Sequence, residues 1–559
     1  MLQTHVFRER SYYLHNYVQA TFDCLGRKKL KGSTLVMSGD GRYYNAEALQ
    51  IVLKIAAANR VKKVVLGREG LVSSPAASNL IRTRRDKRML GGFILSASNH
   101  PGGKDGYFGI KFYVANGGPA PESFANALNV RLRSIATIRF AAYLPDIDTG
   151  TAGIFRLPGP FGTFIIEIID PVEEYVAQMK TIFDFDTLRK FVARKDFSMV
   201  FDGMNGAAGP YAKRIFVDEL GCQSSTLIRC DPKQDFGNKQ PDPKLMNATL
   251  LAGMMGLKLS SPRDSKMKNY PAIGAATDGE AAKCLLLGRQ LFVAPSDSLA
   301  IIAANAKETI PYFCKGLLGV ARTMPTSRAV DVVARSLSIP HYEVPTGWTH
   351  ISKLMDSHKC NLAGGESSEI GSDHLREKDG IWVVLAWLSI LAHRNRVVPP
   401  GMLIGVEDIA QEHWRRYGRH FCLRYDFNAV ASSVASNLLR RLVSYRDNLR
   451  ALNSSEAFVS RGMKISQICQ YSYKDPVDGS ISTQEGVTVD WSDGSRFVYR
   501  FTETRPTICT IHVHVERYVR GPGGLHLHPS ECLAVHVDLA FHMVHMDSGV
   551  ILPEPSLVI

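Results

Sequence analysis

No stretch of this 559-residue chain is both long and apolar enough to span a bilayer. The longest apolar run, GIWVVLAWLSILAH at 380–393, has the length of a buried helix and is too short for a membrane. No cationic leader followed by an apolar segment opens the chain, so no secretory signal is expected. Ten cysteines are scattered without the short paired spacings of a zinc or iron site. Cys222 and Cys230 come nearest one another and fit no ligand pattern, which suits reduced thiols in a cytoplasmic protein. Aromatic residues are not interleaved with the basic segment IRTRRDKRM at 81–89, and no nucleic-acid module is recognisable. A nucleic-acid partner is therefore not expected. What remains is a soluble, globular composition, 45% apolar and 21% charged, with a net charge of +14. Part of that charge sits in 81–89, which reads as a solvated loop or as a site for acidic surfaces or phosphorylated ligands.

The length suggests roughly three or four domains. STLVMSGDGR at 33–42 reads as a strand entering a glycine turn, and 45–59 carries apolar residues at helical spacing with Asn45 as N-cap. VKKVVLG at 61–67 is the next strand, and this β-α-β alternation implies a largely parallel sheet covered on both faces. The pattern restarts near 197 and again near 311. From about 420 the character changes. VTVDWSDGSRFVYRF at 487–501 alternates as a hairpin turning at Asp493-Gly494. The expected division is 1–192, 193–304, 305–419 and 420–559: three α/β units, then a smaller α+β unit. The stretch 395–405 reads as an inserted loop.

Each unit contains one loop with the composition of a site. In the first, the strand ending at Leu95 runs into SASNHPGG at 96–103, a glycine-rich turn presenting Ser98. The second has DGEAAK at 278–283, the third GGESSE at 364–369 and REKDG at 376–380, the fourth TETRPTICTIH at 502–512. Together with NGGPAPE at 116–122, PSDSLAIIAAN at 295–305, PTGW at 345–348 and DPVDGSIS at 475–482, these loops resemble the phosphoglucomutase branch of the α-D-phosphohexomutases. The resemblance extends from about Val6 to at least Tyr518. It implies a heart-shaped protein of four domains around a central cleft. In that family a phosphorylated serine gives its phosphoryl group to a hexose phosphate, the bisphosphate turns over, and the other phosphoryl group returns to the serine. Such chemistry rests on positioning and on neutralising spread negative charge.

The resemblance places Ser98 as the phosphoryl carrier, with His100 and Lys378 as proton-transfer groups. The family order Ser-His-Asn is here Ser98-Asn99-His100, which moves the imidazole by one position. The family's Asp-Gly-Asp-Gly-Asp-Arg holds Mg²⁺ against the phosphoserine. Here Asp278 and Glu280 stand at the first two carboxylate positions, Ala282 at the third, and Lys283 replaces the arginine. Mg²⁺ demands a compact octahedral oxygen shell, so Mg²⁺ binding by Ser98, Asp278 and Glu280 is expected to be weak or lost. Lys283 keeps a phosphate-directed charge without the planar fork. For the sugar, the resemblance implies Gly347, Trp348, Glu366 and Ser367, with Gly365 where the family has a hydroxyl-binding Glu. For the second phosphate it leaves Arg505, in a loop that has lost every glycine and gained Pro506 and Glu503. The family's Gly-Thr-Ser-Gly-Leu-Arg segment, expected ahead of Val6, has no counterpart in the sequence.

Two readings follow. One is a phosphoglucomutase-fold protein with weak or absent mutase turnover that acts by binding or regulation, with a protein partner if it is a scaffold. The other is an active Mg²⁺-dependent phosphoglucomutase using phospho-Ser98, glucose 1,6-bisphosphate as primer and a sugar phosphate as substrate.

Overall fold

Periodicity and turn chemistry translate into four main sheets, one following another along the chain. The structure is a computed structural model, and it describes residues 2–9, 12–84, 86, 88–257, 270–505, 507–521, 523–545 and 552–557. The first sheet has six strands, in the order Ile110–Val114, Met89–Leu95, Thr34–Gly39, Lys63–Gly67, Gly162–Ile169 and Gly153–Gly159. Its four central strands are parallel and its two edges antiparallel. Helices cover both faces, so the central strand Thr34–Gly39 is buried at every residue.

Asn45 was expected to cap the helix Asn45–Ala58, and it does not. Tyr44, at φ 75°, precedes the helix, and no side chain caps it. Asn45 instead packs into the space beside Gly39, where an added Cβ would come within 2.1 Å of its Oδ1. Glycine at 39 makes that approach possible.

The second sheet runs Leu227–Ile228, Met199–Asp202, Ile273–Thr277, Cys284–Gly288, Leu291–Val293. The third runs His341–Val344, Val320–Thr323, Leu362–Gly365, Glu369–Ser372. Both repeat one plan: parallel strands, then a return strand antiparallel to its predecessor. The apolar run at 380–393 becomes the helix Gly380–Arg394, buried from Gly380 to Ala392 and apolar on all sides because it is surrounded. One continuous core includes Val36 and Ile94 of the first sheet, Phe201 and Ala275 of the second, Val320 and Leu362 of the third, and this helix. The stretch 395–405 is a loop between that helix and Val406–Tyr417.

The fourth sheet is antiparallel and has its own core: Ile465–Lys474, Ile481–Trp491, Arg496–Arg505, Ile508–Val519, Arg419–Ala431 and Ser556–Leu557. Its expected hairpin turns at Asp493-Gly494, with Gly494 at φ 86°. The architecture is thus three α/β domains followed by an α+β domain, as the sequence implied. Among the described residues no helix is long and apolar enough to cross a membrane.

Candidate active site

The parallel strand Met89–Leu95 ends at the loop that carries Ser98. A buried polar frame sets this loop. Ser96 Oγ donates to Asp40 Oδ2 at 2.6 Å, and Asp40 pairs with the buried guanidinium of Arg42 at 2.9 Å. Arg42 Nη2 donates to the Ser98 carbonyl at 2.9 Å, and the Ser98 N–H donates to Ser96 Oγ at 2.8 Å. Ser98 is held at φ 52°, a conformation that costs a non-glycine residue about 1 kcal/mol and turns its hydroxyl outward. That hydroxyl donates to Asp278 Oδ2 at 3.0 Å. His100 Nδ1 lies 3.1 Å from the Ala97 carbonyl, and burial lowers its pKa.

Asp278 follows the strand Ile273–Thr277 and is fully buried. Its second oxygen, Oδ1, accepts from the N–H groups of Ala282 at 2.7 Å and Lys283 at 3.1 Å. Burial, reinforced by the nearby Glu280 charge, pushes its carboxyl up to about 6. Asp278 is therefore a better proton acceptor than a solvated aspartate. Ala281, where the family has glycine, keeps a glycine-like φ of 64°.

Glu280 is engaged by residues of the first domain. Lys111 Nζ contacts its two oxygens at 2.9 and 2.8 Å, and Ser74 Oγ donates to it at 2.9 Å. Burial would raise its pKa, but Lys111 outweighs burial and holds the carboxyl well below the usual range. With Ala282 carrying no ligand atom, Asp278 is left as the carboxylate at the serine. Among the described residues no group of three His, Cys, Asp or Glu side chains could hold a metal ion. The donor set therefore does not fit a three-carboxylate Mg²⁺ shell.

Lys378 is buried. It contacts Glu369 Oε1 at 2.8 Å, and although burial disfavours its charge, Glu369 and Glu377 hold its pKa above the usual lysine value. It is a fixed cation rather than a proton donor near neutral pH. Lys283 has no carboxylate partner among the described residues, and its charge acts on both Asp278 and His100. The second and third sheets are joined here through backbone: the Cys284 N–H donates to the Ser368 carbonyl at 2.9 Å, and the main chains of Lys283 and Glu369 form an isolated antiparallel β-bridge.

In the third domain Glu366 and Ser367 lie at the turn between Leu362–Gly365 and Glu369–Ser372. Thr323 Oγ1 donates to Glu366 Oε2 at 3.1 Å, and Ser367 Oγ donates to Oε1 at 3.3 Å. Burial opposes ionisation of Glu366, but Arg500 and Arg424 outweigh it and lower its pKa. A Cβ on Gly365 would sit 3.2 Å from Glu369 Oε2, so the family's glutamate position is lined by other groups here. Gly347, at φ 119°, precedes the helix Trp348–Asp356. Trp348 itself is core: it is 5% exposed, packed with Ile351 and Ala363, so the indole expected at the sugar is turned inward.

The stretch standing at the family's phosphate loop, read from the sequence as having lost that cradle, forms a hairpin. Thr502 pairs with Thr510, Glu503 with Cys509 and Arg505 with Ile508 in the antiparallel ladder. Its backbone N–H groups alternate along that ladder rather than converging on an anion. The side chain of Arg505, and Pro506, lie outside the described residues, as do Arg85 and Lys87 of the basic segment.

The cations facing Glu366 come from residues that motif matching passes over. Arg424 pairs with Asp426 through Nε and Nη2, both at 2.9 Å, and its Nη1 lies 3.8 Å from Glu366 Oε1. His512 contacts Asp426 at 2.7 Å and Thr502 at 3.0 Å. Arg500 Nη2 donates to Thr346 Oγ1 at 2.6 Å. Burial drives the His514 pKa well below its usual value, with Arg424 adding to the effect, so it is neutral. The readable signal was the alternation HVHVE at 512–516: Val513 and Val515 enter the core, and His512, His514 and Glu516 face the other way. Asp242 acts on both His100 and Arg424, so the serine loop and these arginines border one region.

Comparison with known proteins follows this geometry. The chain matches the family profiles of phosphoglucomutase/phosphomannomutase alpha/beta/alpha domain I at 6–139, domain II at 173–290 and domain III at 295–417. Residues 419–556 match the phosphoglucomutase-1 C-terminal domain. It is 45% identical over 553 residues to a cytoplasmic phosphoglucomutase of Pisum sativum, covering 98% of this chain and 94% of that one. A probable cytoplasmic phosphoglucomutase of Arabidopsis thaliana is 44% identical, with 99% and 95% covered. The open form of the exocytosis-sensitive phosphoprotein parafusin, a phosphoglucomutase from Paramecium, superposes with a TM-score of 0.89 at 38% identity, covering 99% and 95%.

Proposed function

This chain belongs to the phosphoglucomutase/phosphomannomutase family, and on that premise we propose that it slowly interconverts glucose 1-phosphate and glucose 6-phosphate in the cytoplasm, through a phosphorylated Ser98. The observation that carries the reading is the Ser98 hydroxyl, held outward by Arg42 and Asp40 and donated to Asp278 at 3.0 Å. Near full-length similarity to proteins named phosphoglucomutase supports it further. In this reading Ser98 Oγ attacks the phosphoryl group of glucose 1,6-bisphosphate. The new O–P bond forms as the bond to the sugar oxygen breaks, Asp278 takes the serine proton, and the departing sugar oxygen takes a proton from solvent, leaving a glucose monophosphate. Lys283 neutralises developing phosphate charge from one side and Lys378 fixes positive charge beside the third-domain hairpin. Glu366 and Ser367 hold sugar hydroxyls, and Arg424 with Arg500 takes the non-reacting phosphate in place of the lost loop.

No step is routed through Mg²⁺, because the carboxylate set does not fit its shell. A divalent cation supplies several kcal/mol of transition-state stabilisation in such reactions, and each 1.4 kcal/mol is tenfold in rate. Slow turnover follows where that contribution is missing and only Lys283 and Lys378 neutralise the charge. A second reading, a binding or regulatory protein without turnover, is favoured by the Glu280–Lys111 pair and by the hairpin at 502–510. One experiment separates the two. The purified chain is given glucose 1,6-bisphosphate, its intact mass is measured, and glucose 6-phosphate formation from glucose 1-phosphate is followed. A phosphoryl mass gain at Ser98 with slow turnover, both absent in Ser98→Ala, is expected. No mass gain and no product would leave the binding reading.

A further inference from the structure

We propose that the first domain carries a second anion site, at the opposite edge of its sheet from Ser98, which binds oligophosphate groups of the nucleotide class. Strands Thr34–Gly39, Lys63–Gly67 and Met89–Leu95 are parallel, so Ser98 lies beyond their carboxyl ends while their amino ends open on the other side. Seven strand residues separate the two edges, roughly 20 Å. At the amino ends is a cleft of ≈ 1070 Å³, lined by Lys31, Arg60, Lys62, Lys63 and Arg88, and by the hairpin tip at Phe161.

The charge in this cleft is not balanced. Asp86 is its lining carboxylate, and it already accepts from Thr34 Oγ1 at 2.6 Å and from the Arg88 N–H at 3.0 Å. Lys63 is paired with Glu167 at 2.7 Å. Lys31, Arg60, Lys62 and Arg88 have no carboxylate partner among the described residues. Like charges gathered at one cleft repel, and an anion of several charges relieves that repulsion. Two of the cations are positioned. The Arg88 guanidinium lies over Gly32, where a Cβ would come within 2.7 Å of Nη1, and Nη1 donates to the Lys31 carbonyl at 2.9 Å. Arg60 stacks on the Phe161 ring at 4.9 Å. Guanidinium and ammonium groups together are the usual recognition chemistry for phosphate oxygens.

A single phosphate would engage one or two of these cations, whereas a chain of phosphates can span them. Phe161 is 58% exposed at the rim, leaving aromatic surface for a planar base beside the phosphate-binding cations. The site also gives a role to part of the basic segment 81–89, which the catalytic cleft does not use.

The test is titration calorimetry on the full chain with inorganic tripolyphosphate and with ATP, both without metal. Both are expected to bind, ATP more tightly, and Phe161→Ala should remove ATP's advantage. The double variant Lys62→Glu/Arg88→Glu, at two exposed positions, should weaken both by at least about tenfold. The variant Lys190→Glu/Lys195→Glu makes the same change in net charge at exposed positions elsewhere and should stay within about twofold of the parent. Single Lys62→Gln, the milder change, should fall between. Saturating glucose 1-phosphate should displace neither ligand. Absence of binding, equal weakening by both double variants, or displacement by glucose 1-phosphate would overturn the site. ATP binding no tighter than tripolyphosphate would overturn its nucleotide class.

Discussion

Replacing Lys111 with methionine distinguishes a structural Glu280 from a metal-ligating one. In the structure Lys111 contacts both oxygens of the Glu280 carboxylate, Ser74 Oγ donates to it as well, and that carboxylate is 2% exposed. Breaking a fully buried pair costs 3–5 kcal/mol, because the remaining charge is stranded. Lys111 is 38% exposed, so water already screens its side of the pair, and the estimate falls to about 2–3 kcal/mol. The sign of the pH dependence follows from linkage. In the parent, Glu280 has a folded pKa below its unfolded value, so its stabilisation is present above about pH 4.3 and is lost as pH falls through the folded pKa. In Lys111→Met the main opposition to burial is gone, leaving Lys378 and the hydroxyl hydrogen bonds to oppose it in part, and the folded pKa is expected to rise above the unfolded one. The variant then loses stability as pH rises from about 4.3 toward the new folded pKa. The difference between the two proteins should therefore be large already at pH 4.5, where the parent's ion pair is in place, and larger still at pH 7, where the variant has lost stability as well. The assay is the first urea transition of each protein, followed by tryptophan fluorescence at both pH values, with and without Mg²⁺. Mg²⁺ should not restore the variant. A difference under about 1 kcal/mol that does not change with pH would refute the ion-pair account, since no buried, uncompensated carboxylate could behave so. Recovery on adding Mg²⁺, growing with its concentration, would instead place a metal on Glu280.

Three further outcomes follow from the site. Turnover should rise with pH through an apparent pKa of about 6 as Asp278 loses its proton, and Asp278→Asn should abolish that limb and cut the rate by at least about a hundredfold. Arg424→Gln should raise KM for glucose 1-phosphate by about tenfold or more, from one lost charge-assisted contact, while Ser98 still accepts a phosphoryl group in the mass assay. Chelation of divalent ions should change turnover by less than about threefold; a fall of a hundredfold would mean that a metal does the neutralising assigned to Lys283.

The fold was legible because its signals are local and redundant. The β-α-β restarts, the apolar helix at 380–394 and the Asp493-Gly494 turn each declare themselves within a short window. The loops named the family for the same reason, and Ser98 and Asp278 could be marked as partners across 180 residues from their motifs. Asn45 and Trp348 misled because a local pattern also has a packing solution: one fills space beside Gly39, the other fills the third domain's core.

What the sequence alone determined is the order of the four units and which residues stand at each loop. The loss of the third metal carboxylate at Ala282 is visible in the letters. Where the charges go was decided by tertiary structure. Glu280 reads as a ligand until Lys111, 169 positions earlier, is seen to hold it. Arg424, Arg500 and His512 read as ordinary strand residues until three strands bring them together opposite Glu366. Charge interactions act through space and depend on burial, and neither separation in space nor burial can be read from separation along the chain.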